Sequence, residues 1–413
     1  MGGDGGARFL HADLDAFYAS VVLLKRRDLV GKPMAVGGGV VLSATYEARA
    51  MGVHGGMGIG EARRRCPSLV VTRGDFAEYV AYSDCVFDVF REFTPHVEPI
   101  SIDEAFLDIE GATHLFGGAR QIAGLLRDRV RAETGLAVSV GGARTKFLAK
   151  IASRAAKPDG IAIVEPGDEL GFLHPLPLDA LWGVGPATLS ALREIGIARV
   201  GDLADTPIPL LASRIGRARA YHLRALAHNQ DPRSVVTSRK ARSVGAQRAL
   251  GRDVRDRDVL RAVLARLASR VGARLRKKGA AGRTLTVRAR FQDFSSITRA
   301  TTLRTPSAAS AVLYRTALSL VDAITEEFPD RGVSLLGIAM SNLVPSSPLQ
   351  LELPLFDGSF SGGSPRELEL QALDAAVDRL RARFGRDSVG PGSDLLGARS
   401  VFGEGLSDIM TRD

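Results

Sequence analysis

Two short acidic stretches, about ninety residues apart, have the composition of a metal site. The first is Phe9-Leu10-His11-Ala12-Asp13-Leu14-Asp15-Ala16-Phe17-Tyr18, the second Ser101-Ile102-Asp103-Glu104-Ala105-Phe106. Each sets carboxylates inside an otherwise apolar, strand-like run. Buried carboxylates are costly unless paired, and Mg²⁺ is a partner that takes several at once. Gathered around one point, Asp13, Asp103 and Glu104 could hold two Mg²⁺ ions. Such ions lower the pKa of an attacking hydroxyl and neutralise charge on a phosphorus centre. Asp15 and Asp108 are read as structural.

A second constellation is Ser43-Ala44-Thr45-Tyr46-Glu47-Ala48-Arg49. Tyr46 and Arg49 are three apart, so a helix points both one way. A phenol and a forked guanidinium on one face can bind triphosphate oxygens. Lys157, in Ala156-Lys157-Pro158-Asp159-Gly160, reads on its own as a turn lysine.

Charge adds a partner class. Between residues 237 and 304 there are 19 Lys and Arg against 4 Asp, a local charge of +15, which leaves −6 for the rest of the chain. Such a segment points to a polyanion. A solvated basic helix would be the plainer account, but Arg288, Arg290 and Arg299 sit in strand-like surroundings. Cys66 and Cys85 support neither a disulfide framework nor a zinc site, which suggests two reduced thiols in an intracellular protein. The start, Met-Gly-Gly-Asp-Gly-Gly, has no signal-peptide pattern, and no apolar run reaches membrane-span length, so no membrane partner is expected.

The elements that must position these residues follow from periodicity and composition. Residues 8–14 read as a strand, 97–109 as a hairpin and 137–143 as another strand. Residues 19–71 contain helical stretches and the Gly37-Gly38-Gly39 run. An antiparallel sheet with helices on one face is expected. Residues 166–233 look helical, with Gly183-Val184-Gly185-Pro186 opening a helix-hairpin-helix turn. A polar linker spans 234–240. Residues 241–344 read as strand, helix (about 256–278), strand (283–291), strand (296–303), helix (307–327), strand (332–342), a second α+β unit. A final amphipathic helix is expected over 365–384, with Leu370, Leu373, Val377 and Leu380 on one face.

Together these motifs resemble the Y-family DNA polymerases, and within them the bacterial DNA polymerase IV branch, over roughly residues 8 to 344. The resemblance implies an α+β, multidomain right-hand polymerase. Its antiparallel-sheet palm would be 1–18 and 72–165, its small fingers 19–71 and its helical thumb 166–233. The linker 234–240, an α+β little finger at 241–344 and a tail at 345–413 would complete it.

It also implies roles. Asp13 and Asp103 would bridge the metals, with Glu104 the third carboxylate and the Leu14 carbonyl a further ligand. Two Mg²⁺ ions are expected, with Mn²⁺ possible. Ser43, Tyr46, Arg49 and Lys157 would bind the incoming dNTP, and Tyr18 would exclude a 2′-hydroxyl. Gly183, Gly185, Arg242, Arg288 and Arg290 would hold the backbone of primer-template DNA. Gln350-Leu351-Glu352-Leu353-Pro354-Leu355-Phe356 looks like the motif that binds the sliding clamp (the β subunit), through Gln350, Leu353, Leu355 and Phe356. The expected activity is translesion DNA synthesis of low fidelity and processivity, by a cytoplasmic, nucleoid-associated monomer. One departure is Val22, where the family commonly has Glu.

Two other classes fit the residues less well. A non-catalytic, clamp-bound DNA-binding scaffold of the mutasome type would lack the acidic ligands, and here Asp13, Asp103 and Glu104 are all present. A nucleotide cyclase has a similar metal-binding palm but no use for a +15 segment or a clamp motif.

Overall fold

The computed structural model describes residues 6–238, 240–346, 365–385 and 388–390. The chain divides into two compact units after residue 239.

The first unit is built on a five-stranded sheet in the order Val97–Pro99, Glu104–Asp108, Phe9–Leu14, Val138–Ala143, Ile161–Ile163. The acidic first strand is therefore central. Alternation sends Leu10, Ala12 and Leu14 to one face, where they pack with Phe87, Phe90, Ile122 and Leu126. Those four belong to helices Phe76–Phe93 and Ala119–Thr134. Burial of each phenylalanine contributes roughly 2 kcal/mol. Phe9, His11 and Asp13 face the other way, and helix Lys146–Ala155 covers that side. His11 Nδ1 lies 2.7 Å from Ser153 Oγ.

The expectation of helices on one face is thus corrected: both faces are covered. A side chain such as His11, flanked by apolar neighbours, is buried on the second face too. The last strand pair, Val138–Ala143 with Ile161–Ile163, is parallel rather than antiparallel, because helix Lys146–Ala155 crosses between the two. That helix lies very close to the sheet. At Gly141 an added Cβ would collide with the backbone of Ala149 and Ser153. Its N-terminal amide at Phe147 is satisfied from a distance, by Asp231 Oδ2 at 3.2 Å.

Residues 19–71 hold strands that the sequence reading passed over. Val41–Ala44, Met34–Gly37 and Val70–Thr72 form a separate sheet, with Ala35, Ala48, Val53, Met57 and Cys66 in its own core. Val22 is half-buried against the main core. Residues 166–233 are helical, including Pro186–Arg193, which begins just after Gly185. The expected linker is tied to this unit at its start. The Ser234 carbonyl accepts from Lys146 Nζ at 3.0 Å, and the Val236 amide donates to Glu98 at 2.8 Å.

The second unit is a four-stranded antiparallel sheet in the order Ser296–Ser307, Ala280–Phe291, Val333–Pro345, Ser243–Val254. Helices Arg257–Lys277 and Ser310–Glu327 pack on the face carrying Leu285, Val287, Ala289 and Phe291. The other face carries hydroxyls, small residues and arginines. One row across it is Thr298, Arg288, Gly337 and Gln247; the next is Ser296, Arg290, Leu335 and Ala249.

Helix Pro365–Phe384 docks in this unit, but through polar side chains. Arg276 pairs with Asp374 at 3.0 Å and Asp378 at 2.7 Å, and Arg381 reaches Ser269 at 2.7 Å. Of the four apolar residues expected to form its packing face, Leu373 and Leu380 are exposed. The motif at 350–356 lies outside the described residues. Among the described residues no helix is long and apolar enough to cross a membrane.

Candidate active site

Sheet register brings the two acidic stretches together. Asp13 pairs directly with Glu104 across adjacent antiparallel strands, and the Leu14 amide donates to the Asp103 carbonyl at 3.0 Å. The hairpin turn is closed by the Ile100 amide on the Glu104 carbonyl at 3.0 Å. Ser101 Oγ donates to Asp103 Oδ1 and fixes that carboxylate. Asp13 and Asp103 line a cleft of about 140 Å³, together with Tyr18, Ser43, Arg49 and Lys157. The turn that leads to Tyr18 passes through Ala16 at φ 47°, a left-handed conformation that is uncommon for alanine.

The electrostatics of the carboxylates differ. Burial pushes the carboxyls of Asp13 and Asp103 above the ordinary range, even with Lys157 nearby. Burial also acts upward on Glu104, but hydrogen bonds from His11 and Lys150 outweigh it and hold its pKa at about 2. His11 is fully buried, and that burial pushes its pKa down, while Lys150 Nζ donates to the Glu104 carboxylate.

Asp15 does different work. Its carboxylate accepts from Ser139 Oγ at 2.9 Å, from the Asp159 amide at 2.7 Å and from the Tyr46 hydroxyl at 2.9 Å. It joins the central strand to the neighbouring strand, to the loop after Lys157 and to the smaller sheet's helix. Asp108 is ion-paired with Arg8 at 2.7 Å.

The other candidate residues are distributed as follows. Tyr46 and Arg49 share the short helix Tyr46–Ala50, whose Ala48 amide is accepted by Thr45 Oγ1. The Arg49 guanidinium lies over the Tyr46 ring, 5.0 Å from its centre, and donates to the Ala44 carbonyl at 2.9 Å. Arg49 reaches the cleft, whereas the Tyr46 hydroxyl is engaged by Asp15. Lys157 Nζ lies 3.5 Å from the Leu14 carbonyl oxygen. Tyr18 packs on Tyr79 at 4.4 Å between ring centres. Gly183 and Gly185 are exposed at the start of helix Pro186–Arg193. Arg242 and Arg288 are exposed and Arg290 is half-buried, in the second unit.

Sequence reasoning missed the support beneath Glu104. Lys150 and His11 contact it from one side, and Trp182 lies against Lys150, Arg233 and Phe106. The available signal was His11, two positions before Asp13 and hence on the same strand face.

A hard divalent cation fits this donor set in part. Asp13, Asp103 and the Leu14 carbonyl converge on one cleft, and the two carboxylates are buried enough to need a cation. Among the described residues no three acidic or imidazole side chains already meet at a point, because Glu104 turns to Lys150. Asp13 is likewise engaged, by Lys157.

Comparison with known proteins gives consistent findings. Residues 12–154 match the impB/mucB/samB family, and 241–353 match that family's C-terminal domain. The chain is 51% identical over 399 residues to "DNA polymerase IV 2" of Mesorhizobium japonicum, covering 96% of each. A Y-family DNA polymerase chimera of Dbh and Dpo4 superposes with TM-score 0.74 at 26% identity, covering 81% of this chain and 99% of that one. The insertion ternary complex of Dbh DNA polymerase gives 0.59 at the same identity and coverage.

Proposed function

Because the chain belongs to the impB/mucB/samB family of Y-family DNA polymerases, in its DNA polymerase IV branch, we propose that Asp13, Asp103 and Glu104 are the carboxylates of its nucleotidyl-transfer site. The protein is a template-directed DNA polymerase of the translesion type, and its substrates are primer-template DNA and dNTPs. Enzymes of this family use divalent metal ions. The three carboxylates and the Leu14 carbonyl would hold two Mg²⁺ ions, with Mn²⁺ able to substitute. Bound there, the ions would activate the primer 3′-hydroxyl and offset charge on the leaving pyrophosphate. The observation that carries this assignment is the register that sets Asp13 against Glu104 and ties Leu14 to Asp103.

The chain's own residues then divide the work. Ser43, Arg49 and Lys157 offer a hydroxyl and two cations to triphosphate oxygens in the cleft, and Tyr46 supports Arg49 through its ring. Tyr18 lines the cleft and is buttressed by Tyr79; there it would exclude a sugar 2′-hydroxyl. Residues 1–18 and 72–165 would be the palm, 19–71 the fingers, 166–233 the thumb, 234–240 the linker and 241–344 the little finger. Gly183, Gly185, Arg242, Arg288 and Arg290 would grip DNA phosphates. Gln350, Leu353, Leu355 and Phe356 would dock on the sliding clamp. The enzyme would act as a cytoplasmic, nucleoid-associated monomer.

Asp103→Asn tests the site. It replaces a ligand oxygen by a neutral amide, so primer extension should be abolished while primer-template binding persists. Near-normal turnover in this variant would remove Asp103 from the metal site. The scaffold alternative is not favoured, since the acidic residues such relatives lack are present.

A further inference from the structure

The hairpin that joins strands Ala280–Phe291 and Ser296–Ser307 ends in an unusual residue. Phe294 is 75% exposed, and its φ is 65°. That left-handed conformation favours glycine or asparagine, and it is an outlier for a bulky side chain. The turn itself is well made. The Phe294 amide donates to the Phe291 carbonyl at 3.1 Å, and the Phe291 amide donates to the Ser295 carbonyl at 2.9 Å. Asp293 accepts from the Ser295 amide and from Arg331 at 2.6 Å, and Arg331 lies over the Phe291 ring. A rigid turn therefore holds a large aromatic ring in water, at a position where glycine would be more stable. Folding gains little from that ring.

Its surroundings indicate what it meets. The Arg290 guanidinium lies 5.3 Å from the Phe294 ring centre, on the open face of the sheet. Arg290 and Arg288 bond only to the hydroxyls of Ser334 and Ser296, and neither has a carboxylate partner among the described residues. The one acid at the tip, Asp293, is matched by Arg331. An exposed aromatic beside uncompensated guanidinium groups is the combination that binds single-stranded nucleic acid, where a base stacks on the ring and cations take the phosphates. A duplex keeps its bases stacked inside and offers a free face only at its two ends.

We propose that Phe294, with Arg290 and Arg288, forms a stacking site for an unpaired base of single-stranded DNA. It adds a stacked base at Phe294 to the phosphate grip proposed for the same two arginines. It concerns binding only, so it stands or falls independently of the carboxylate assignment.

The test uses the full-length protein, fluorescence anisotropy and three probes: dT16, a 16-mer of abasic sites with the same phosphates, and a blunt 16-bp duplex. Phe294→Gly should weaken dT16 binding by at least about fivefold. Its affinity for the abasic strand and the duplex should not change. Phe294→Trp should bind dT16 at least as well as wild type. Arg290→Gln should weaken both single strands together. Thermal melting of Phe294→Gly should match or exceed wild type, since glycine suits the turn; Phe294→Asn provides a second variant compatible with the same backbone. Unchanged dT16 affinity in the glycine and asparagine variants would overturn the proposal, and would point to a protein partner for the ring. An equal loss on all three probes would overturn it as well, since it would assign the effect to hairpin conformation.

Discussion

Nζ of Lys157 lies 2.5 Å from Oδ1 of Asp13, joining residues 144 positions apart within the cleft that both line. The same ammonium is 3.5 Å from the Leu14 carbonyl. It is poised between the candidate metal ligands and the space a triphosphate would enter. Lys157→Ala should therefore raise the KM for dNTP roughly tenfold, as loss of a charge-assisted contact implies. Primer-template affinity without nucleotide should not change. Single-nucleotide insertion kinetics beside a binding titration separate the two, and an unchanged KM would remove Lys157 from the triphosphate site.

Sugar choice should rest on Tyr18. Its ring is fixed by Tyr79, and burial with the charge of Asp103 pushes its hydroxyl pKa up, so it stays neutral. Tyr18→Ala should raise ribonucleotide incorporation by about an order of magnitude, a difference in transition-state binding between two sugars. Competing rNTP and dNTP insertions on one template measure this. Equal selectivity in variant and wild type would assign the gate elsewhere.

Asp159 offers a test by pH. Burial acts upward on its carboxyl, but Arg127 at 2.6 Å and Arg131 at 2.5 Å outweigh it and hold the pKa below the ordinary range. A lowered carboxylate pKa contributes stability above the ordinary range, and that contribution is lost as pH falls through the lowered value. Asp159→Asn should cost about 1 kcal/mol at neutral pH, since the pair is partly exposed and screened. The melting-temperature gap should close as the solution is acidified below the usual aspartate range. A gap that persists in acid would mean the loss comes from the loop's backbone rather than from the charge.

Clamp recruitment should depend on Leu355 and Phe356. Their replacement by Ala should abolish the gain in processivity that a loaded clamp gives, because a few apolar anchors carry most of such binding energy. Extension without clamp should be unaffected. Loss of clamp-free activity would instead make this segment part of the folded core.

Much of this molecule was legible in its sequence because the informative signals are local. The central strand, the acidic hairpin and the second unit's order of elements each follow from alternation or helical period within one segment. What escaped was set by contacts distant in sequence. The strands Met34–Gly37 and Val41–Ala44 are four residues each, too short for alternation to separate them from nearby helix. The C-terminal helix has an apolar stripe, yet Arg276 selects its acidic face through Asp374 and Asp378. Lys150 reads as an unremarkable helix lysine until the fold lays it on Glu104.

Gly141 gives the sheet and its covering helix their spacing. It stands directly across from His11, and a single methyl there would strike the backbone of Ala149 and Ser153. The helix carries Lys146 onto Glu98 and Lys150 onto Glu104. Displacing it would move both lysines as one body, away from both carboxylates at once. Overpacking of this kind costs roughly 1–3 kcal/mol, but the larger effect would be mechanical. The distance between these two acids and their counter-charges is gauged by a missing atom. Drift at Gly141 would therefore detune the whole charge arrangement together, while every residue that bears a charge stayed in place in the sequence.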